Sequence, residues 1–173
     1  MNIETREYVD DDYPELQKCV DNLQKHIVDV DPLRRQIAPP GYSQAYTDKL
    51  LKAVSEKEGK IYFAVCDNKI AGVITGSISP ESPGGTLEVI PTKTGWVREL
   101  YVYPEYRKKG IGTVLMSVLE NYFKVKDCKV ILLNIFAPNK ESHDFYVLKG
   151  YADRDITMIK ELESNWVQED LDP

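Results

Sequence analysis

The segment YRKKGIGTVLM, residues 106–116, sets three cationic side chains, Arg107, Lys108 and Lys109, directly ahead of Gly110 and Gly112, and then becomes an apolar helical pattern. A turn of this kind at the head of a helix suits an anion. The first helical N–H groups have no intrahelical partner and lie at the positive end of the dipole. Glycine carries no Cβ, so a phosphate can approach the backbone closely. The same residues also suit a plain tight turn with solvated lysines, and the segment alone leaves both readings open. Two other phosphate loops are excluded. The nucleoside-triphosphate loop needs a lysine immediately after its last glycine, whereas Lys108 and Lys109 precede the glycines and Thr113 follows them. The dinucleotide fingerprint needs a third glycine where Leu115 stands, and no parallel βαβ unit opens the chain.

Metal and thiol chemistry find little material. Only His26 and His143 are available, without the spacing of a zinc site, so no metal is expected. Cys19, Cys66 and Cys128 are odd in number, far apart and set in apolar sequence, which predicts three reduced, mostly buried thiols.

The elements that must position the corner are legible from periodicity. IETREYV alternates as an opening strand. From Tyr13, apolar residues at Leu16, Cys19, Val20, Leu23 and Ile27 fall on one helical face, with Pro14 tolerated in the first turn. Pro32, Pro39 and Pro40 break that helix, and a second is predicted from Ser43 as N-cap to about Gly59. Residues 60–79 read as a hairpin around Asp67 and Asn68, residues 80–95 as a loop or hairpin excursion, and WVRELYVY (96–103) as a strand stopped by Pro104. The helix after the corner carries Ile111, Val114, Leu115, Val118, Leu119 and Tyr122 on one stripe. KVILLNIF (129–136) is apolar enough for a central strand covered on both faces, with Asn134 as a buried polar group. A last helix begins at Asn139 and ends at Gly150, and DITMIKEL (155–162) supplies a final strand. The predicted order is βααβββαβαβ, one α/β (α+β) domain over residues 1–162 with an acidic tail at 163–173.

Charge adds direction. The net charge of −6 argues against nucleic acid as a partner. The last thirteen residues hold five acids and no base, so the first 160 sum to only −1. Residues 105–126 run the other way, with five Lys or Arg against two Glu, which marks the one segment prepared for an anion. No apolar stretch reaches membrane-spanning length and the N-terminus lacks a signal-peptide layout, so a cytoplasmic protein without a membrane partner is expected.

The stretch ELYVYPEYRKKGIGTVLM resembles the defining motif of the GNAT superfamily of acyl-CoA-dependent N-acetyltransferases, a strand of the type Leu-x-Val-x-Pro followed by Gln/Arg-x-x-Gly-x-Gly/Ala and a helix. The matching residues are Leu100, Val102, Pro104, Arg107, Gly110 and Gly112. NIFAPNKESHDFYVLKGY is similar to the second motif of that superfamily through Asn139, Phe145, Tyr146, Gly150 and Tyr151. The resemblance implies a mixed, mostly antiparallel sheet flanked by helices and splayed between its fourth and fifth strands. It implies acetyl-CoA as cosubstrate, with the pyrophosphate on the backbone of Lys108, Lys109, Gly110, Ile111, Gly112 and Thr113 and with Arg107 at the rim. The pantetheine arm would pair with Leu100, Tyr101 and Val102 and meet Asn139, while a backbone N–H near Leu100 polarises the thioester carbonyl.

Direct attack on that carbonyl requires a neutral amine, and a lysine-like amine has a pKa of about 10.4, so a base is needed. Glu99 is the candidate, with an exposed carboxylate or an Arg98 pair as the plainer reading. Tyr146 is the implied acid for the leaving thiolate, against a simple aromatic core pair with Phe145, and His143 is a weaker alternative base. The acceptor is a small-molecule or protein amine, met through residues 26–46 and 79–95, where Asp29, Asp31, Glu81 and Glu88 mix with Arg34, Arg35 and Lys93. The resemblance leaves open a homodimer, and also a non-catalytic acyl-CoA-binding or regulatory module.

Overall fold

The computed structural model of the chain describes residues 2–79 and 90–162. Glu81, Glu88, most of the 80–95 excursion and the acidic tail from residue 163 lie outside the described residues. The chain forms two compact units, Met1–Asn139 and Lys140–Pro173. Among the described residues no helix is long and apolar enough to cross a membrane.

In the first unit the element order is β1 (Ile3–Glu7), α1 (Tyr13–Val30), α2 (Tyr42–Glu56), β2 (Lys60–Cys66), β3 (Lys69–Ser79), β4 (Thr94–Val102), α3 (Ile111–Val125) and β5 (Val130–Leu132). The sheet order is β1-β2-β3-β4-β5, antiparallel throughout except for the parallel pair β4–β5. This is the mixed, mostly antiparallel sheet expected. The β2–β3 hairpin turns where the sequence places it, with Asp67 and Asn68 both at positive φ, 49° and 60°.

The sheet is covered on both faces. On one side Leu16, Cys19 and Val20 of α1 and Leu50 of α2 close over Ile61, Phe63, Val73, Tyr101 and Tyr103. On the other, α3 buries Ile111, Leu115, Leu119 and Phe123. It comes close because β3 and β4 present glycine there: a Cβ on Gly95 would stand 2.6 Å from the Phe123 ring, and one on Gly76 2.8 Å from Leu119.

Four sequence expectations need correction. The second helix starts at Tyr42 with Gly41 as its cap at φ 78°, and Ser43 instead accepts a hydrogen bond from Gln17 Nε2 at 3.3 Å, joining α2 to α1. The fifth strand is three residues long rather than eight, and it ends the described sheet instead of lying at its centre. Asn134 is exposed rather than buried. The final strand is absent: residues 152–161 form no regular element. A strand exists only within a ladder, and the ladder stops at the short β5. Cys19 and Cys66 are buried free thiols as expected, and Cys128 is half-buried. Burial pushes the Cys19 thiol up to about 12, so it is inert.

In the second unit, α4 (Lys140–Leu148) is followed by Gly150 at φ 88°. Gly150 donates its N–H to Val147 at 3.0 Å, closing the helix where the sequence predicts.

Candidate active site

β4 carries the site because its register changes within it. Gly76 pairs with Val97 but the next β3 residue, Thr75, pairs with Glu99, so Arg98 is an extra residue, a β-bulge. Before the bulge, Gly95 faces Phe123 of α3. After it, Glu99 and Tyr101 face α1 and α2 instead. The bulge thus carries the Glu99 carboxyl to the face opposite α3.

The backbone beyond the bulge is turned outward in alternation. Tyr103 donates its N–H to Ala71 at 3.0 Å and Glu99 donates its N–H to Thr75 Oγ1 at 3.1 Å, so residues 99 and 103 direct these groups at β3. Alternation sends the polar backbone groups of Leu100 and Val102 to the other edge. There β5 pairs with Thr94, Gly95 and Trp96 alone, and among the described residues it pairs with nothing in 97–102. The fourth and fifth strands therefore part over the Leu100–Val102 stretch, the splay expected, and leave it able to pair with an extended ligand.

The open edge runs into the glycine corner. Pro104–Tyr106 make a single 3-10 turn, Lys108 and Gly110 take left-handed φ of 59° and 84°, and α3 follows. Gly110 is the cap and accepts the Val114 N–H at 3.0 Å, so the N–H groups of Ile111, Gly112 and Thr113 lie ahead of that bond in the first turn. A Cβ on Gly110 would meet nothing within 4 Å, so the space above it is open. Such a corner fits a phosphate-bearing group. Its cations divide their work. Arg107 donates through Nε to the Val102 carbonyl at 3.1 Å and so latches the corner to the end of β4. Lys109 sits 5.9 Å from the Tyr106 ring, and Lys108 is exposed.

Glu99 accepts a hydrogen bond from the Tyr46 hydroxyl of α2. Burial raises its carboxyl above the ordinary value of 4.5, an effect opposed by the Tyr46 hydrogen bond and the Arg98 charge. The alternative reading of an ion pair with Arg98 is not met, since the Arg98 Nε donates to Ser77 Oγ at 2.9 Å and its guanidinium lies 5.2 Å from the Trp96 ring. A half-buried carboxylate with a raised pKa has the properties of a general base. The sequence reading missed Tyr46 as a partner. The available signal was the aromatic pair Tyr42 and Tyr46 at helical spacing.

The α1–α2 connection is shaped rather than loose. Asp31 accepts the N–H groups of Leu33, Arg35 and Gln36 at 3.0, 2.6 and 2.8 Å. In the second unit Tyr146 meets Phe145 and Tyr151 edge-on, with centroids 5.2 and 5.8 Å away. His143 Nε2 lies 2.8 Å from Asp153 Oδ1, and that hydrogen bond, with the carboxylate charge, raises its pKa. Asn139, at the end of the first unit, is buried and bonds its N–H to Phe136 at 2.8 Å.

The model of the Acetyltransferase (GNAT) family matches residues 27–151, from α1 through the corner to the end of the second motif. The chain belongs to the GNAT acetyltransferase family. An uncharacterised N-acetyltransferase of Methanocaldococcus jannaschii is 33% identical over 96 residues, 55% of this chain and 54% of that protein. A second one from the same organism is 28% identical over 60 residues, 35% of this chain and 26% of that protein, so the matches span about half the length of these relatives or less. The GNAT fold also recurs in solved structures. A Trypanosoma brucei acetyltransferase superposes with TM-score 0.62 at 18% identity, over 93% of this chain and all of that one. The aminoglycoside N-acetyltransferase AAC(6')-Iy in complex with CoA gives 0.69 at 14% identity, over 92% and 94%.

Proposed function

We propose that this chain transfers the acetyl group of acetyl-CoA to a primary amine by direct attack, with residues 1–162 acting as one acetyltransferase domain. The observation that carries the reading is the open edge of β4 running straight into the glycine corner. An extended chain of alternating polar groups, ending in a pyrophosphate, matches that surface in order: the amide-bearing arm along Leu100, Tyr101 and Val102, the phosphates on the N–H groups from Lys108 to Thr113. Membership of the GNAT family and the CoA-bound neighbour support it. Asn139 is assigned a contact with the arm, and Arg107 serves the site by holding the corner against Val102.

In the reaction the amine lone pair forms the new N–C bond and the C–S bond breaks. The amine proton passes to Glu99, directly or through water, and the departing thiolate is protonated by Tyr146, phenols in general being suitable acids for a thiolate. The Leu100 N–H is directed to stabilise the oxyanion. The acceptor enters along α1, its connection to α2 and the start of α2.

The experiment is purified protein with acetyl-CoA and a panel of polyamines, aminoglycosides, amino acids and peptide N-termini or lysines, read by thiol release and mass of the product. Acetylation of one class with release of CoA is expected. Tight coenzyme binding without acetylation of any class would overturn the enzymatic reading. Tyr146→Phe is expected to lose turnover while keeping coenzyme affinity, and unchanged turnover under conditions limited by chemistry would reject the acid role.

A further inference from the structure

Glu99 is held by more than its own strand. Tyr42 and Tyr46 stand one turn apart on α2 with ring centroids 5.4 Å apart. The Tyr46 hydroxyl donates to Glu99 Oε1. The Tyr42 hydroxyl donates to Gln24 Oε1 at 3.2 Å, and Gln24 Nε2 donates to the Ile37 carbonyl at 2.7 Å. One run of side chains therefore ties α1, the α1–α2 connection, α2 and β4 together. Among the described residues Glu99 Oε2 has no hydrogen-bond partner.

We propose that Tyr46 is the positioning residue for the base: by engaging Oε1 it fixes the Glu99 carboxyl and leaves Oε2 as the oxygen that takes the amine proton. The proposal rests on reading Glu99 as the base. Its physical content is twofold. A carboxyl on a flexible glutamate side chain loses rotamer freedom when clamped, so less entropy is lost on reaching the transition state. A hydroxyl donating to the charged form also favours the carboxylate against the desolvation that opposes it. The groups facing Glu99 are Tyr46 and Tyr42 from α2, Arg98 from its own strand and the uncharged Thr75 hydroxyl from β3, with Gln24 of α1 reaching it through Tyr42. Of these, Tyr46 and Arg98 lower the carboxyl's pKa and burial raises it.

The base works ionised, so the rate rises with pH through the Glu99 pKa. Removing the Tyr46 hydroxyl removes a contribution that lowers this pKa, and the acid limb moves to higher pH. Tyr42→Phe is the control: it deletes a hydroxyl from the same ring stack, but one bonded to Gln24, and is expected to leave the limb in place. The experiment measures kcat/KM against pH for the full chain, Tyr46→Phe, Tyr42→Phe and Glu99→Gln, with acetyl-CoA and an amine from the panel. In parallel, the carboxyl carbons of 13C-glutamate-labelled protein are titrated by NMR without substrate, the Glu99 signal being the one missing in Glu99→Gln.

Tyr46→Phe is expected to raise both the limb and the Glu99 titration, and to lower kcat/KM by less than the factor of about 10²–10⁴ expected for loss of the base itself. A Glu99 signal that titrates identically in Tyr46→Phe and the unmutated chain overturns the role of Tyr46. An acid limb that survives Glu99→Gln sinks the base reading instead, and the NMR arm still tests the Tyr46 contact. A limb shifted equally by Tyr42→Phe and Tyr46→Phe would show a packing effect and also overturn the proposal.

Discussion

Two glycines in this chain have nearly the same backbone and different proposed work, which allows turn stereochemistry to be separated from anion binding. Gly41 caps α2 at φ 78°, ψ −2°, and Gly110 caps α3 at φ 84°, ψ −3°. At both positions an added Cβ meets nothing within 4 Å. Gly41→Ala and Gly110→Ala therefore carry no steric clash in the protein, and each costs only the strain of holding an L-residue left-handed, about 1–2 kcal/mol. For a chain of this size, about 1 kcal/mol lowers Tm by about 2–4 °C, so each variant is expected to melt about 2–8 °C lower.

The difference comes with coenzyme. The open space above Gly110 is where the proposed pyrophosphate must approach the N–H groups of Ile111, Gly112 and Thr113. A methyl group there forces the phosphate outward. Weakening one charge-assisted hydrogen bond, worth about 1.5–3 kcal/mol, raises the Kd for CoA by about 10–100-fold. Gly41 lies at the head of α2 and its substitution should leave that Kd within about twofold. Thermal melts without ligand measure the first quantity, and calorimetric titration with CoA the second. If Gly110→Ala melts about 2–8 °C lower but binds CoA like Gly41→Ala, Gly110 serves the turn alone and the cradle assigned to this corner is refuted.

Two further outcomes follow from burial. Because the native Glu99 pKa is raised above its ordinary 4.5, the folded state binds that proton more tightly than the unfolded chain, so the carboxylate contributes instability that grows as pH rises above 4.5. Glu99→Gln is expected to melt higher than the unmutated chain at pH 7, with the gap closing toward pH 4; equal melting at pH 7 would refute the raised pKa. Phe123→Ala empties the space against Gly76 and Gly95, and should cost about 3–5 kcal/mol in a urea titration, with a loss below about 1 kcal/mol showing that α3 does not depend on this contact.

What was legible in the sequence was local. The Asp67–Asn68 hairpin, the face of α1 and the glycine corner each follow from stereochemistry or periodicity within a few residues, and the structure forms them in place. What was not legible was pairing across the chain. KVILLNIF and DITMIKEL have strand composition, yet only Val130–Leu132 find a ladder, because composition supplies the propensity and a partner edge decides the outcome. The same holds at the site. With strict alternation along β4, Glu99 would share a face with Gly95 and Val97 and point at α3. The extra residue Arg98 reverses that parity, and Glu99 instead meets Tyr46, 53 residues away in sequence. A bulge leaves no composition signal in WVRELYVY, so Glu99 could be chosen there for its chemistry but not given its partner. The residue that decides which face the Glu99 carboxyl occupies is thus Arg98, through its backbone. Its side chain, bonded to Ser77 and packed over Trp96, holds the bulge on the same face, so the Glu99 carboxyl is positioned from β3 and its own strand as well as from α2.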